Sequence, residues 1–173
     1  LSAELKGFGL ATFFDKALHF FRHNSIGRAK KNISQHYDLG NDFYSQWLDT
    51  SMTYSSAIFK NPNDTLMDAQ ANKYNKLCKL VDLKNDDTVV EIGCGWGGLI
   101  NHIKQKYLCK IKAITISEEQ YRFVASRHYE KNWTPDNIIG LCDYRNLHGK
   151  FDKIFSIEMI EAVGARYWPD YFK

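Results

Sequence analysis

Residues 88–98, Thr-Val-Val-Glu-Ile-Gly-Cys-Gly-Trp-Gly-Gly, constrain the fold more than any other stretch of the chain. A short apolar run carries an acid, Glu91, near its end and opens onto four glycines within six residues, the pattern of a buried strand feeding a tight turn and then a helix. Glycine at Gly93 and Gly95 lets the backbone take positive φ and lets a ligand approach the main chain, while the helix that follows points free N–H groups at the same spot. A nucleotide-like cofactor is the natural occupant of such a turn.

Gly93, Gly95 and Gly98 also satisfy G-x-G-x-x-G, so a dinucleotide fingerprint competes with other nucleotide cofactors. The second strand separates them. A dinucleotide site usually ends that strand on an acid about 20 residues after the glycines, to hold a ribose. Here the strand expected over 111–116 runs into Thr115-Ile116-Ser117 and then Glu118-Glu119-Gln120. That segment reads as a capping box, with Ser117 accepting from the new helix backbone and Gln120 reaching back to Ser117. A helix start beside the glycine turn is also where cofactor hydroxyls would lie.

From Thr88 onward the pattern alternates. Strands are expected near 88–92, 111–116, 137–141 and 151–157, with helices near 97–107 and 118–131, and a further helix from about Arg166. Strand alternating with helix, with apolar strands, implies a parallel sheet covered on both faces. Before it, 65–81 reads as a helix capped by Thr65 with Asp68 three residues on, its apolar side formed by Leu66, Ala69, Leu77, Leu80 and Val81. Residues 32–65 carry turn formers between short helices and read as a cap. Two units follow: 1–64, a helical segment and cap, and 65–173, a cofactor-binding domain.

The net charge of +3 is too small to argue for nucleic acid. Its distribution says more: residues 1–32 hold six basic side chains against two acids, interleaved with Phe8, Phe13, Phe14, Phe20 and Phe21. This pattern suits either packing onto the catalytic domain or lying on an anionic membrane surface, with packing favoured. Cys78, Cys94, Cys109 and Cys142 show no metal-ligand spacing, so no metal is expected and the thiols read as reduced. No apolar run approaches the length of a membrane span.

The residues then reach a family. The segments His36-Tyr37-Asp38-Leu39-Gly40, Met52-Thr53-Tyr54-Ser55-Ser56-Ala57-Ile58-Phe59, Glu91 to Gly98, Ile114 to Gln120, Asp143-Tyr144-Arg145 and Ser156 to Gly164 occur in the order and spacing of the cyclopropane fatty-acid synthases and mycolic-acid cyclopropane synthases. The resemblance covers roughly residues 28 to 172. It implies a Rossmann-like class I methyltransferase sheet, cut short after about four strands, behind an N-terminal helical cap. It further implies transfer of a methyl group from S-adenosylmethionine to the cis double bond of an unsaturated phospholipid acyl chain, with ring closure to a cyclopropane.

The resemblance also assigns roles. Glu91 would meet the cofactor ammonium, and Gly93, Cys94, Gly95, Trp96 and Gly97 would cradle its methionine portion. Thr115, Ser117 and Gln120 would face the ribose, Tyr144 and Arg145 would flank the adenine, and Tyr54 and Ser55 would close over the cofactor. A bicarbonate would act as base, held partly by Glu161 and by the backbone of Ser56, which stands where the family has cysteine. Tyr37 could stabilise a transient cation with its ring face. Ala162 replaces the histidine of the family's Glu-His-Val-Gly, which leaves open a methyltransferase that stops short of ring closure. An inactive cofactor-binding or lipid-surface module is the remaining alternative. The expected setting is cytoplasmic, peripheral to the inner face of the membrane, with a homo-oligomer or a C-terminal segment completing the sheet.

Overall fold

In the computed structural model, residues 40–129 and 138–172 are described. Tyr37 and the basic, aromatic segment 1–32 lie outside them. Short helix α1 (Gly40–Ser45) leads through an irregular segment to α2 (Leu66–Leu80). Then come β1 (Thr88–Ile92), α3 (Gly98–Lys106), β2 (Lys110–Thr115), α4 (Glu118–Tyr129), β3 (Ile139–Leu141) and β4 (Lys153–Ser156). Two one-turn helices, α5 (Ile160–Val163) and α6 (Trp168–Tyr171), follow. The expected alternation is present, and α5 is an element the periodicity does not predict.

All four strands are parallel, in the order β3-β2-β1-β4. The chain moves from β1 outward through β2 to β3 and then returns to pair β4 with the other edge of β1. Such a reversal opens a crevice at the carboxyl ends of the strands. Val89, Leu99, Ile100, Ile103, Ile111, Ala113 and Val124 form the main core, joining β1, β2, α3 and α4.

Thr65 caps α2 as its sequence predicts: its hydroxyl accepts from Asp68 N, and the Asp68 carboxylate accepts from Thr65 N. The face α2 buries differs from the expected one. Leu80 is exposed, while Gln70, Lys73 and Tyr74 turn inward with Ala69 and Cys78. Polar atoms win this face because they meet polar partners. Gln70 Nε2 donates to Ser55 O at 2.7 Å, Lys73 Nζ donates to Ser55 Oγ at 2.5 Å, and Tyr74 OH pairs with Thr53 Oγ1 at 2.9 Å. Positions i, i+3 and i+4 of one helix thus hold the 53–55 segment over the sheet.

Candidate active site

The glycine turn lies at the carboxyl end of β1. Gly93 N and Cys94 N both donate to Ile114 O, at 2.9 and 3.1 Å, which ties the turn to the end of β2. Gly93 has φ +75°, and a Cβ there would sit 2.9 Å from Met159 Sδ. Gly98 opens α3, where a Cβ would strike Thr53 Oγ1 and approach Tyr74 OH to 2.6 Å, so the absent side chain is what lets the 53–55 segment descend onto the turn. Trp96 in the same turn donates from Nε1 to Asn41 Oδ1 at 2.7 Å and packs on Tyr44, whose ring meets that of Tyr54.

A cleft of about 260 Å³ lies here, bounded by the glycine turn, the ends of β2 and β4, and residues 52–55. Of the residues expected at the cofactor, Tyr54, Ser55, Glu91, Gly93, Cys94, Gly95, Trp96, Thr115, Gln120, Tyr144 and Arg145 line it. Gly97 and Ser117 stand behind the lining, both buried. Ser56 and Glu161 are exposed and do not line the cleft, Glu161 sitting in α5. Tyr37 is outside the described residues.

Two walls differ in how they use polar groups. Along the end of β2, Thr115 Oγ1 donates to Gln120 Oε1 at 2.8 Å, Ser117 N donates to Thr115 Oγ1 at 3.1 Å, and Gln120 N donates to Ser117 Oγ at 3.3 Å. Half of the expected capping box forms. Gln120 turns its side chain to Thr115 instead of back to Ser117 N, because the Thr115 hydroxyl already holds that N–H. Asp143 and Arg145 close the far end with a pair at 2.6 Å. Burial pushes the Asp143 carboxyl up, but the hydrogen bonds and charge of Arg145 outweigh it and hold it below the usual range.

Across the cleft, Glu91 is 4% exposed and its Oε2 is buried without a hydrogen-bond partner. Burial pushes its carboxyl up to about 8, against the opposing charge of Lys73. Lys73 is 5% exposed, and burial pulls its ammonium down to about 8 despite Glu158, Glu91 and Asp49 nearby. A buried carboxyl with an orphaned oxygen inside a cleft is a candidate partner for a cation.

Glu158, two residues past the end of β4, lines the same cleft. Its Oε1 accepts from Ser56 N at 2.9 Å and from Ser56 Oγ at 2.6 Å, and its φ is +49°. The Ser56 backbone donor, which the resemblance gives to bicarbonate, is therefore taken by a side chain of the protein itself.

Sequence reasoning missed Gln70, Lys73, Tyr74 and Glu158. The i, i+3, i+4 spacing of the first three marks one helix face, but only the partners on 53–55 make that face an inward one. Glu158 could have been found from the rule that sites gather at the carboxyl ends of parallel strands.

The model of the mycolic acid cyclopropane synthetase family matches residues 24–173. The cyclopropane-fatty-acyl-phospholipid synthase of Escherichia coli is 41% identical over 138 residues, covering 80% of this chain and 35% of that protein. The tuberculostearic acid methyltransferase of Mycobacterium tuberculosis is 39% identical over 156 residues, covering 86% of this chain and 36% of that protein. Among solved structures, a mycolic acid cyclopropane synthase complexed with SAH and CTAB superposes with a TM-score of 0.78 at 28% identity, covering 83% of this chain and 50% of that one. The chain thus spans about a third of the length of the curated relatives it matches.

Proposed function

The chain belongs to the mycolic acid cyclopropane synthetase family, and on that premise we propose that its cleft binds S-adenosylmethionine and serves methyl transfer to the double bond of an unsaturated phospholipid acyl chain, with ring closure to a cyclopropane. Its fold is the Rossmann-like α/β sheet of class I methyltransferases. The observation that carries the proposal is the buried, unpartnered Oε2 of Glu91, at the place where the cofactor's ammonium would lie. SAH, the demethylated form of S-adenosylmethionine, is bound in the cyclopropane synthase relative, which agrees with this reading.

When bound, S-adenosylmethionine supplies an electrophilic methyl group on a sulfonium. The protein's part is to bind, orient and keep water out. Glu91 would take the ammonium, with Lys73 balancing the charge of the corner from behind Ser55. The backbone from Gly93 to Gly98 would run along the methionine portion, and Gly95, which lines the cleft, has only open space where a Cβ would stand. Thr115 and Gln120 would exchange their mutual bond for bonds to the ribose hydroxyls, and Tyr144 with Arg145 would border the adenine. Tyr54, over half exposed and stacked edge-on with Tyr44 and Trp47, would cover the bound molecule from the solvent side.

A second reading, methylation without ring closure, is favoured by the Mycobacterium tuberculosis relative, which is named a methyltransferase and not a cyclopropane synthase. Titration calorimetry with S-adenosylmethionine and with NAD tests the shared premise. Binding of NAD alone would sink it. Proton NMR of the lipid product then separates the two readings: both add one CH₂, but only the ring removes the olefinic signals.

A further inference from the structure

We propose that Glu158 is a catalytic residue of this protein, the proton acceptor that completes methyl transfer, standing where the resemblance would put a bound bicarbonate. The inference rests on the function proposed above. It starts from a conflict between expected ligand and observed donors. An anion held at Ser56 needs the Ser56 N–H, and that N–H already donates to Glu158 Oε1 at 2.9 Å, with the Ser56 hydroxyl on the same oxygen at 2.6 Å. A free bicarbonate would have to displace a tethered carboxylate and then sit beside its charge. The residues present fit a built-in carboxylate and not a second anion.

Four further observations bear on the role. Glu158 follows β4 at the crevice where β4 flanks β1, the side of the sheet on which Glu91 and Gly93 lie. Both of its hydrogen bonds end on Oε1, so Oε2 keeps its lone pairs for another proton. Its φ of +49° is a conformation unfavourable for a residue with a side chain, and glycine would adopt it without that cost. Strain kept in a cleft points to a side chain retained for what it does there. Glu161, which the resemblance makes a holder of the bicarbonate base, lies in α5 outside the lining; Glu158 and Glu161 are both exposed, and it is the lining that separates them.

The chemistry balances with one carboxylate. Once an alkene carbon has bonded to the methyl carbon of the sulfonium donor, with the S–C electron pair leaving on sulfur, the neighbouring carbon carries the positive charge. One C–H bond of the new methyl then breaks. Its electron pair forms the third side of the ring, and its proton goes to Glu158, which later returns it to water. Methyl donor and alkene are consumed, and thioether, cyclopropane and one proton are formed.

The test compares wild type, Glu158→Gln and Glu158→Gly in the full-length protein, on vesicles of a cis-monounsaturated phospholipid, in carbon-dioxide-stripped buffer and with added sodium bicarbonate. The expected results are a wild type indifferent to bicarbonate and a Glu158→Gln variant about 10²-fold slower in both buffers, with S-adenosylmethionine affinity by calorimetry unchanged. Glu158→Gly, whose backbone suits positive φ and which frees both Ser56 donors, should be slow in stripped buffer and recover at least about tenfold with bicarbonate. A wild type that stalls without bicarbonate, a Gln variant that keeps its rate, or a Gly variant that bicarbonate leaves slow would each overturn the proposal. Failure of all three proteins to bind S-adenosylmethionine would instead overturn the functional reading beneath it.

Discussion

On the β2 side of the cleft, Thr115, Ser117 and Gln120 satisfy one another, whereas on the side formed by β1, β4 and α2 a buried carboxylate oxygen has no partner, an amine is pulled far from its usual range and a glutamate sits at positive φ. The first wall is finished without a ligand. The second is not. Hydroxyls and amides can trade internal hydrogen bonds for ligand bonds at little net cost, because each bond lost is replaced by one of similar strength. A buried carboxyl has no such neutral exchange: burial keeps it protonated with an oxygen unpartnered, and it must give up that proton to meet a cation. On the proposed function, the charged end of the cofactor would meet the Glu91 wall and its uncharged hydroxyls the Thr115 wall.

The largest effect expected from this contrast is on Glu91. Glu91→Gln should weaken S-adenosylmethionine binding about 10²-fold, the scale for losing one partner of a buried charge pair, without lowering the stability of the ligand-free protein. Calorimetry beside thermal melting checks both halves. A variant that loses affinity only as fast as it loses stability would erase the distinction between the walls.

Next comes the pH dependence of the ligand-free fold. Glu91 is raised from 4.5 to about 8, so the folded state binds more protons than the unfolded one between those values, and stability should fall as pH rises through about 8. Lys73 is lowered from 10.5 to about 8, so above 8 the unfolded state binds more, and stability should climb again toward 10.5. Denaturant titrations across pH 5 to 10 should therefore trace a minimum near pH 8, about 2 kcal/mol deep, that Glu91→Gln flattens on its acid side. Binding at neutral pH should also release about one proton, read from the dependence of binding enthalpy on buffer, and the same variant should abolish the release.

Smaller still is the response of the self-satisfied wall. Gln120→Ala should cost roughly tenfold or less in cofactor affinity and about 1 kcal/mol of stability, since it removes one neutral hydrogen bond from each state. The smallest effect marks the surface beyond that wall. Arg122 pairs with Glu118 and Glu119 at 3.4 and 3.2 Å on the exposed face of α4, and Arg122→Ala should change melting by less than about 0.5 kcal/mol and leave affinity untouched.

The same contrast explains what the sequence disclosed. The β1 turn, the Thr65 cap and the Thr115 to Gln120 segment were legible because each is local: strand, turn, cap and helix are neighbours in the chain, and their chemistry is written in consecutive residues. Lys73 and Glu158 were not. Lys73 meets its partner 18 positions away and Glu158 meets Ser56 across 102, so neither residue's environment exists until the tertiary fold does. Leu80 misled for a related reason. Apolar periodicity chose a face for α2, but the polar anchors on the 53–55 segment turned the helix toward Gln70, Lys73 and Tyr74, leaving Leu80 in water. The glycine spacing alone left the dinucleotide alternative open, and it was the strand-end residues at 115–117 that argued against it.

The return of the chain to the free edge of β1 has a consequence in time. Thr88 and Asp152 hold the start of that pairing with a reciprocal set, Thr88 N on Asp152 Oδ2 at 2.7 Å and Asp152 N on Thr88 O at 2.8 Å, across 64 residues of sequence. A ribosome adding about 5–20 residues per second leaves β1 with one edge bare for several seconds, while β2 and β3 are already available to it. The glycine turn is thus synthesised early and the β4 part of the same wall late, so a nascent chain has no complete cleft until the residues after β4 emerge. Cofactor captured at that moment would hold β4 against β1 by mass action. Cellular S-adenosylmethionine would then govern how much of the newly made protein reaches its folded form, in addition to how fast that form works.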